Sequence, residues 1–352
     1  MLTPLLLPAV PGHLAAERLR NVDTFLHGRD LDRAGLERLM RSRTGDAVHL
    51  LLTSSPVHGI ANATSDIDFI RVEEQAPGGA RMATQLFEAG QHLEAVSYGT
   101  AEIAGALADL GKAASLEAAD VVTAHAHWDK EHELRRKYLE RLVNGVALDG
   151  TSPYLEHLPG LARVWKWASL HTAVRHVFHL RLAEASGEPL GGAGYAVGAL
   201  LHLMDAALSH AGDVYSNRKW YLLRWQRFVD GGRAAGTPLA PLAARFADLE
   251  ARVADTLRGR DGALAPAFTQ ALDEVYALAG EGHPARLRLA PATGAQELPF
   301  LPGARALVHR TVSFSDGVPP TATVLVTDDD LPGDPAGLLS ASRAGVLTLA
   351  PA

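Results

Sequence analysis

The chain is 352 residues long and contains no cysteine, which excludes disulfides, thiolate metal sites and a cysteine nucleophile. Its formal net charge is −7, so the broad basic surface that binding to a nucleic-acid polymer usually rests on is not expected. With 47% hydrophobic and 21% charged residues the composition is that of a water-soluble protein with a real core, and the length suits two or three domains.

The N-terminal stretch "MLTPLLLPAVPG" is apolar, but it lacks a basic leading segment and is interrupted by proline, so a cytoplasmic protein without a signal peptide is expected. Residues 14–43 read as helical: Leu14, Leu19, Val22, Phe25 and Leu26, then Leu36, Leu39 and Met40, recur at helical spacing. "AVHLLLTSS" then suits a buried strand, and "DIDFIRVEE" a second one by alternation. "RMATQLFEAG" and "QHLEAVSYG" read as two more strands parted near Gly90.

From about 100 to 280 the pattern is helical. The expected helices are 101–112, 116–144, 160–185, 192–211, 215–230, 238–258 and 264–279, with Gly, Pro and Asp at the breaks. The most apolar run, "YAVGALLHLMDAALSHAG", holds His202, Asp205 and His210, which suits a buried helix and not a membrane span. After Pro284 short β-like runs alternate with Pro/Gly turns. "TDDDLPGD" in this part lacks the spacing of a calcium loop and reads as a solvated turn.

Asp66 and Asp68 flank Ile67 at the start of the second strand. On a strand, residues two apart point to one face, so the two carboxylates are expected side by side, where they repel unless a cation lies between them. A hard divalent ion such as Mg²⁺ suits such oxygen ligands and shares its shell readily with phosphate. The plainer reading is a turn cap at Asp66 and a solvated Asp68.

The preceding residues favour the first reading. "SSPVHGIANATSDIDF" places Ser54, Ser55, Gly59 and Ser65 ahead of Asp66, Ile67 and Asp68. This resembles the DNA polymerase beta-type nucleotidyltransferase superfamily, whose small enzymes carry a Gly-Ser pair, about ten residues, and then Asp-x-Asp. The match covers roughly residues 30–110. In layout the chain is similar to the aminoglycoside nucleotidyltransferases.

The resemblance implies an α+β fold: a nucleotidyltransferase-type mixed sheet with helices over 1–112, an all-α bundle over 113–282, and a small β-rich piece over 283–352. It implies ATP as co-substrate, Mg²⁺ held by Asp66 and Asp68, and phosphate held by Ser54, Ser55 and Ser65 at a helix start. A third carboxylate is expected from a later strand; Glu94 has that position and Glu88 is its rival. Lys219, beside Tyr215 and Trp220 in "YSNRKWYLLRWQRF", resembles the lysine that such relatives aim at the triphosphate.

The reaction so implied moves AMP from ATP to a hydroxyl of a small molecule, with a protein acceptor as a variant and a homodimer as a possible assembly. Two departures from the pattern bear on this. The family's glycine is Ser54, and Pro56 removes an amide donor directly after Ser55. They support a competing reading, a nucleotidyltransferase fold kept as a binding or scaffold protein.

The histidine-rich pieces are read as helix faces or acceptor-pocket lining. His127 and Glu131 stand at i, i+4, with Glu133 nearby as a further candidate base, and His171, Arg175 and His179 lie along one face. Neither piece has the H-E-x-x-H pattern of a zinc enzyme.

Overall fold

The computed structural model describes residues 11–75, 83–88, 90–131, 138–259, 262–279, 285–301, 304–310, 312–314, 321–328 and 330–352. The protein has a mixed α+β fold and divides into two compact units that interleave along the chain. The first comprises Met1–Glu117, Ala124–Trp165 and Leu208–Arg224; the second comprises Ala118–Thr123, Lys166–Ala207 and Trp225–Ala352.

The first unit begins with α1 (Pro11–His27) and α2 (Arg33–Thr44). The continuous helical pattern of 14–43 breaks here because Asp30 takes a left-handed conformation and Asp32 caps α2, accepting the Gly35 amide at 2.7 Å. Five strands follow: β1 (His49–Leu52), β2 (Ile67–Glu73), β3 (Thr84–Glu88), β4 (Gln91–Gly99) and β5 (Val146–Ala147). They form one sheet in the order β3-β4-β2-β1-β5. β2 and β4 run parallel, while the other neighbours are antiparallel.

One face of this sheet carries Leu50, Leu52, Ile67, Phe69, Leu93 and Ala95, packed in one core with Val22, Leu26, Leu36 and Met40 of the two helices. The strand alternation dictates this, because residues two apart share a face. The opposite face carries Asp68, then buried Ile70 and Val72, and beside them Val96 and Tyr98. The chain leaves β4 into α3 (Thr100–Ala114), where the Glu102 carboxylate accepts the Gly99 amide at 2.9 Å.

The long helix expected over 116–144 is two: α4 (Ala118–Glu131) and α5 (Leu139–Asn144). Glu133 lies outside the described residues. Directly after α5, two residues pair with β1 as the short strand β5, too short to leave a periodic signal. Next come α6 (Leu158–Ala185), α7 (Pro189–His210) and α8 (Tyr221–Asp230), the last preceded by a 3-10 turn at Arg218–Trp220.

The second unit adds α9 (Ala240–Leu257) and α10 (Ala265–Ala279), joined by a two-point ion pair from Arg245 to Glu274 at 3.1 and 2.8 Å. The Glu184 carboxylate caps α10 by accepting the Leu264 and Ala265 amides. The C-terminal part is not β structure alone. Strands β6 (Arg286–Pro291), β7 (Gln296–Leu301), β8 (Ala304–His309), β9 (Val312–Phe314) and β10 (Ala322–Leu325) are followed by α11 (Pro335–Arg343) and β11 (Leu347–Pro351). They make two three-stranded sheets, β10-β6-β11 and β7-β8-β9. Among the described residues no helix is long and apolar enough to cross a membrane.

Candidate functional site

The first unit brings most of the polar residues singled out in the sequence to one end of its sheet. Asp68 and Glu94 are direct partners in the parallel β2–β4 register, so their side chains leave the same face on adjacent strands. Asp66 sits one residue before β2, not within it, and is exposed. Its carboxylate is 2.9 Å from His92 Nδ1. Asp66 is therefore turned along the β4 strand towards an imidazole, and Asp68 faces Arg141, whose Nη1 lies 3.7 Å from Oδ2. Glu88 pairs instead with Arg43 at 2.6 Å.

The turn after β1 departs from expectation. No helix starts at Ser55: residues 54–59 form consecutive turns, closed by amides of Val57, Gly59 and Ile60 on the carbonyls of Ser54, Pro56 and Ser55. Pro56 has no amide to offer and restricts the residue before it, so the chain coils tightly here without propagating. Ser54 takes φ 65°, the left-handed region that favours the glycine of the resembling family. Ser54 and Ser55 are both buried, and the Ser54 hydroxyl makes no hydrogen bond. Ser65 serves the loop itself, accepting the Asn62 amide at 3.0 Å. Arg29 ties the same loop by donating to the carbonyls of Asn62, Ala63 and Ser65.

Next to Asp68 lies a buried polar cluster that the sequence did not announce. Glu140 of α5 is fully buried, and its carboxylate accepts the Ser216 hydroxyl at 3.1 Å and the Asn144 amide at 3.2 Å. His58 places Nε2 3.5 Å from Glu140 and Nδ1 3.8 Å from Asp213, and its ring stacks on Tyr215 at 4.5 Å. Arg224 holds the same segment by donating to the Tyr215 carbonyl at 2.9 Å and to Asp213. Burial pushes the Tyr215 phenol above its ordinary range; the charges of Glu140 and Asp68 add to this, against Arg141 and a hydrogen bond with Asn217. Tyr215 thus shares an electrostatic neighbourhood with Asp68, Arg141 and Glu140. No local pattern could have revealed it, because positions 58, 140 and 213 meet only through the fold.

Lys219 is exposed in the 3-10 turn, with Nζ 5.1 Å from the Trp220 ring centroid. Two clefts of about 1000 and 420 Å³ open along α1, α2 and the 59–63 loop, and neither is lined by Asp66, Asp68 or Glu94. Among the described residues no three His, Asp or Glu side chains converge into a ready metal centre. The positions nonetheless fit a hard divalent ion in kind: Asp68 and Glu94 share a face in register, and Asp66 precedes Asp68 by two residues.

A model of a family of unknown function, DUF6001, matches residues 11–352. The chain belongs to this family. No curated protein matches it.

Proposed function

We propose that the first unit is a nucleotidyltransferase-type module that transfers a nucleoside monophosphate, AMP from ATP, to a hydroxyl of a small molecule. The observation that carries this is the in-register pair Asp68–Glu94 on parallel strands, downstream of the Ser54–Ser55 turn at the spacing of that superfamily. Asp66, Asp68 and Glu94 are the residues that would hold Mg²⁺, which supplies charge neutralisation for the triphosphate when bound. Arg141, now the counter-ion of Asp68, is placed to meet phosphate charge. In the reaction the acceptor hydroxyl oxygen bonds to the α-phosphorus and yields its proton to a base, for which Glu94 is the candidate, the bond from the α-phosphorus to the bridging oxygen breaks, and pyrophosphate leaves.

The turn favours a second reading, a nucleotidyltransferase fold kept as a scaffold that binds a partner and not a nucleotide: Ser54 and Ser55 are buried, and no helix terminus follows them. One experiment separates the two. Purified protein is titrated with ATP and Mg²⁺ in a calorimeter and then incubated with labelled ATP and small-molecule extract. Transfer by the wild type and none by D68N supports the enzyme. Absence of both ATP binding and transfer in the wild type sinks it in favour of the second reading.

A further inference from the structure

The sheet face that carries Asp68 and Glu94 continues past these carboxylates onto the edge strand. In the β3–β4 pairing Gln85 stands opposite Glu94 and Phe87 opposite His92, and His92 lies two residues before Glu94. Partners in register share a face, as do residues two apart, so Asp68, Glu94, Gln85, His92 and Phe87 form one patch. Phe87 is 77% exposed, more than any other large apolar side chain among the described residues. Its ring is held in place nonetheless. It stacks on the His92 imidazole, with centroids 4.7 Å apart and planes 19° from parallel. The imidazole is itself fixed, with Nδ1 2.9 Å from Asp66 Oδ1 and Nε2 shielded from water. A lone exposed phenylalanine calls for no explanation. One supported by an imidazole that Asp66 orients is a preformed shelf, with one flat face against His92 and the other towards solvent.

We infer that this shelf receives the acceptor, which is a hydroxylated molecule carrying an aromatic ring; the assignment rests on the nucleotidyltransferase reading of the first unit. Strand order gives the direction. Across β1-β2-β4-β3 the sheet presents in turn the Ser54–Ser55 turn, Asp68, Glu94 and Phe87. In an in-line displacement the attacking oxygen and the departing pyrophosphate stand on opposite sides of the α-phosphorus. With the triphosphate on the side of the turn, the acceptor approaches from the β3 side, where Glu94 takes its proton as the oxygen–phosphorus bond forms. The Phe87–His92 pair is two residues from Glu94 along the strands, roughly 7 Å. A ring stacked there brings a hydroxyl borne on it, or on a short side arm, next to Glu94. Exposed Gln85, opposite Glu94, adds an amide able to hydrogen-bond a polar substituent of that ring.

Acceptor and nucleotide are told apart by one experiment. Full-length wild type, F87A and F87Y are incubated with Mg²⁺, ATP labelled in its α-phosphate and small-molecule extract. The labelled product is identified by mass spectrometry, transfer is measured against its purified acceptor, and ATP binding is followed by calorimetry. Because Phe87 is exposed, F87A is expected to melt with the wild type. The expected product carries an aromatic ring in its acceptor half. F87A is expected to raise the acceptor KM about tenfold with ATP affinity unchanged, and F87Y to restore it. An acceptor without an aromatic ring, an unchanged KM in F87A, or a loss of ATP affinity in F87A overturns the shelf while transfer by the first unit stands. A wild type that transfers nothing overturns both.

Discussion

Asp68 and Glu94 place two carboxylates side by side on neighbouring parallel strands, with no aliphatic residue between them to dilute the repulsion. Like charges so paired destabilise a sheet by a few tenths to about 1 kcal/mol. E94Q is therefore expected to leave the metal-free protein equally or slightly more stable in urea. With Mg²⁺ and ATP the order reverses: the wild type gains melting temperature and E94Q does not, and transfer falls by about a hundredfold or more. Equal thermal shifts for both proteins would remove Glu94 from the site.

Ser54 and Gly59 both hold left-handed conformations in one turn, at φ 65° and 64°. The serine pays the steric penalty of a side chain there and leaves its hydroxyl unsatisfied. S54G is expected to stabilise the protein by about 1 kcal/mol in equilibrium unfolding. G59A is expected to cost about 1–2 kcal/mol, since a Cβ would also come within 3.0 Å of the Asn21 side chain, whose amide donates to Val57.

Glu140 is a fully buried carboxylate bonded to Ser216 and Asn144 and approached by His58. Truncation removes the carboxylate that accepts the Ser216 hydroxyl, while Asn144 keeps the carbonyls of Glu140 and Val214. E140A is expected to cost about 3 kcal/mol in urea unfolding, while E140Q, which keeps a carbonyl oxygen for Ser216, costs less. Because the cluster adjoins Tyr215 and Asp68, E140A should also loosen ATP binding; E140Q, folded and binding normally, would show that the carboxylate charge has no part in it.

His171 and His179 are pushed down to about 4, first by burial and then by Arg175. The unfolded chain binds protons at these residues near pH 6.5, whereas the folded chain does not until about pH 4. More protons bound in the unfolded state means stability that rises with pH across this window. The histidine contribution is therefore complete above about pH 6.5 and is lost as pH falls towards 4. In H171Q, which keeps a donor for the Leu349 backbone, the slope of stability against pH between 4 and 6.5 should shrink, measured by urea midpoints at several pH values.

Elements with a strong period were legible in the sequence. The alternation of "DIDFIRVEE" announced β2. The choice of Glu94 over Glu88 came from counting strands, but that it stands in register with Asp68 is shown only by the parallel pairing of β2 and β4 in the fold. The alternation includes Asp66 in the strand, but hydrogen bonding begins at Ile67, because the preceding loop is held by Arg29 and Asn62. The helix expected at Ser55 failed on Pro56. Helix α11 carried a readable signal that strand-like composition masked: Asp334 accepts the Ala336 and Gly337 amides, and Pro335 fills the first position, where its missing amide costs nothing. The His58–Glu140–Asp213 meeting left no local trace, since burial of polar groups far apart in the chain is decided by tertiary packing alone.

The interleaving of the two units has a practical meaning for anyone cutting the gene. A fragment ending at residue 112 would lack the edge strand β5, the carboxylate of Glu140 and the Tyr215 segment, all supplied by later stretches of polypeptide. The unit that carries Asp68 cannot be lifted out as one contiguous cassette, so domain shuffling by simple fusion is closed to it, and a nonsense mutation as late as codon 207 would already deprive it of a wall.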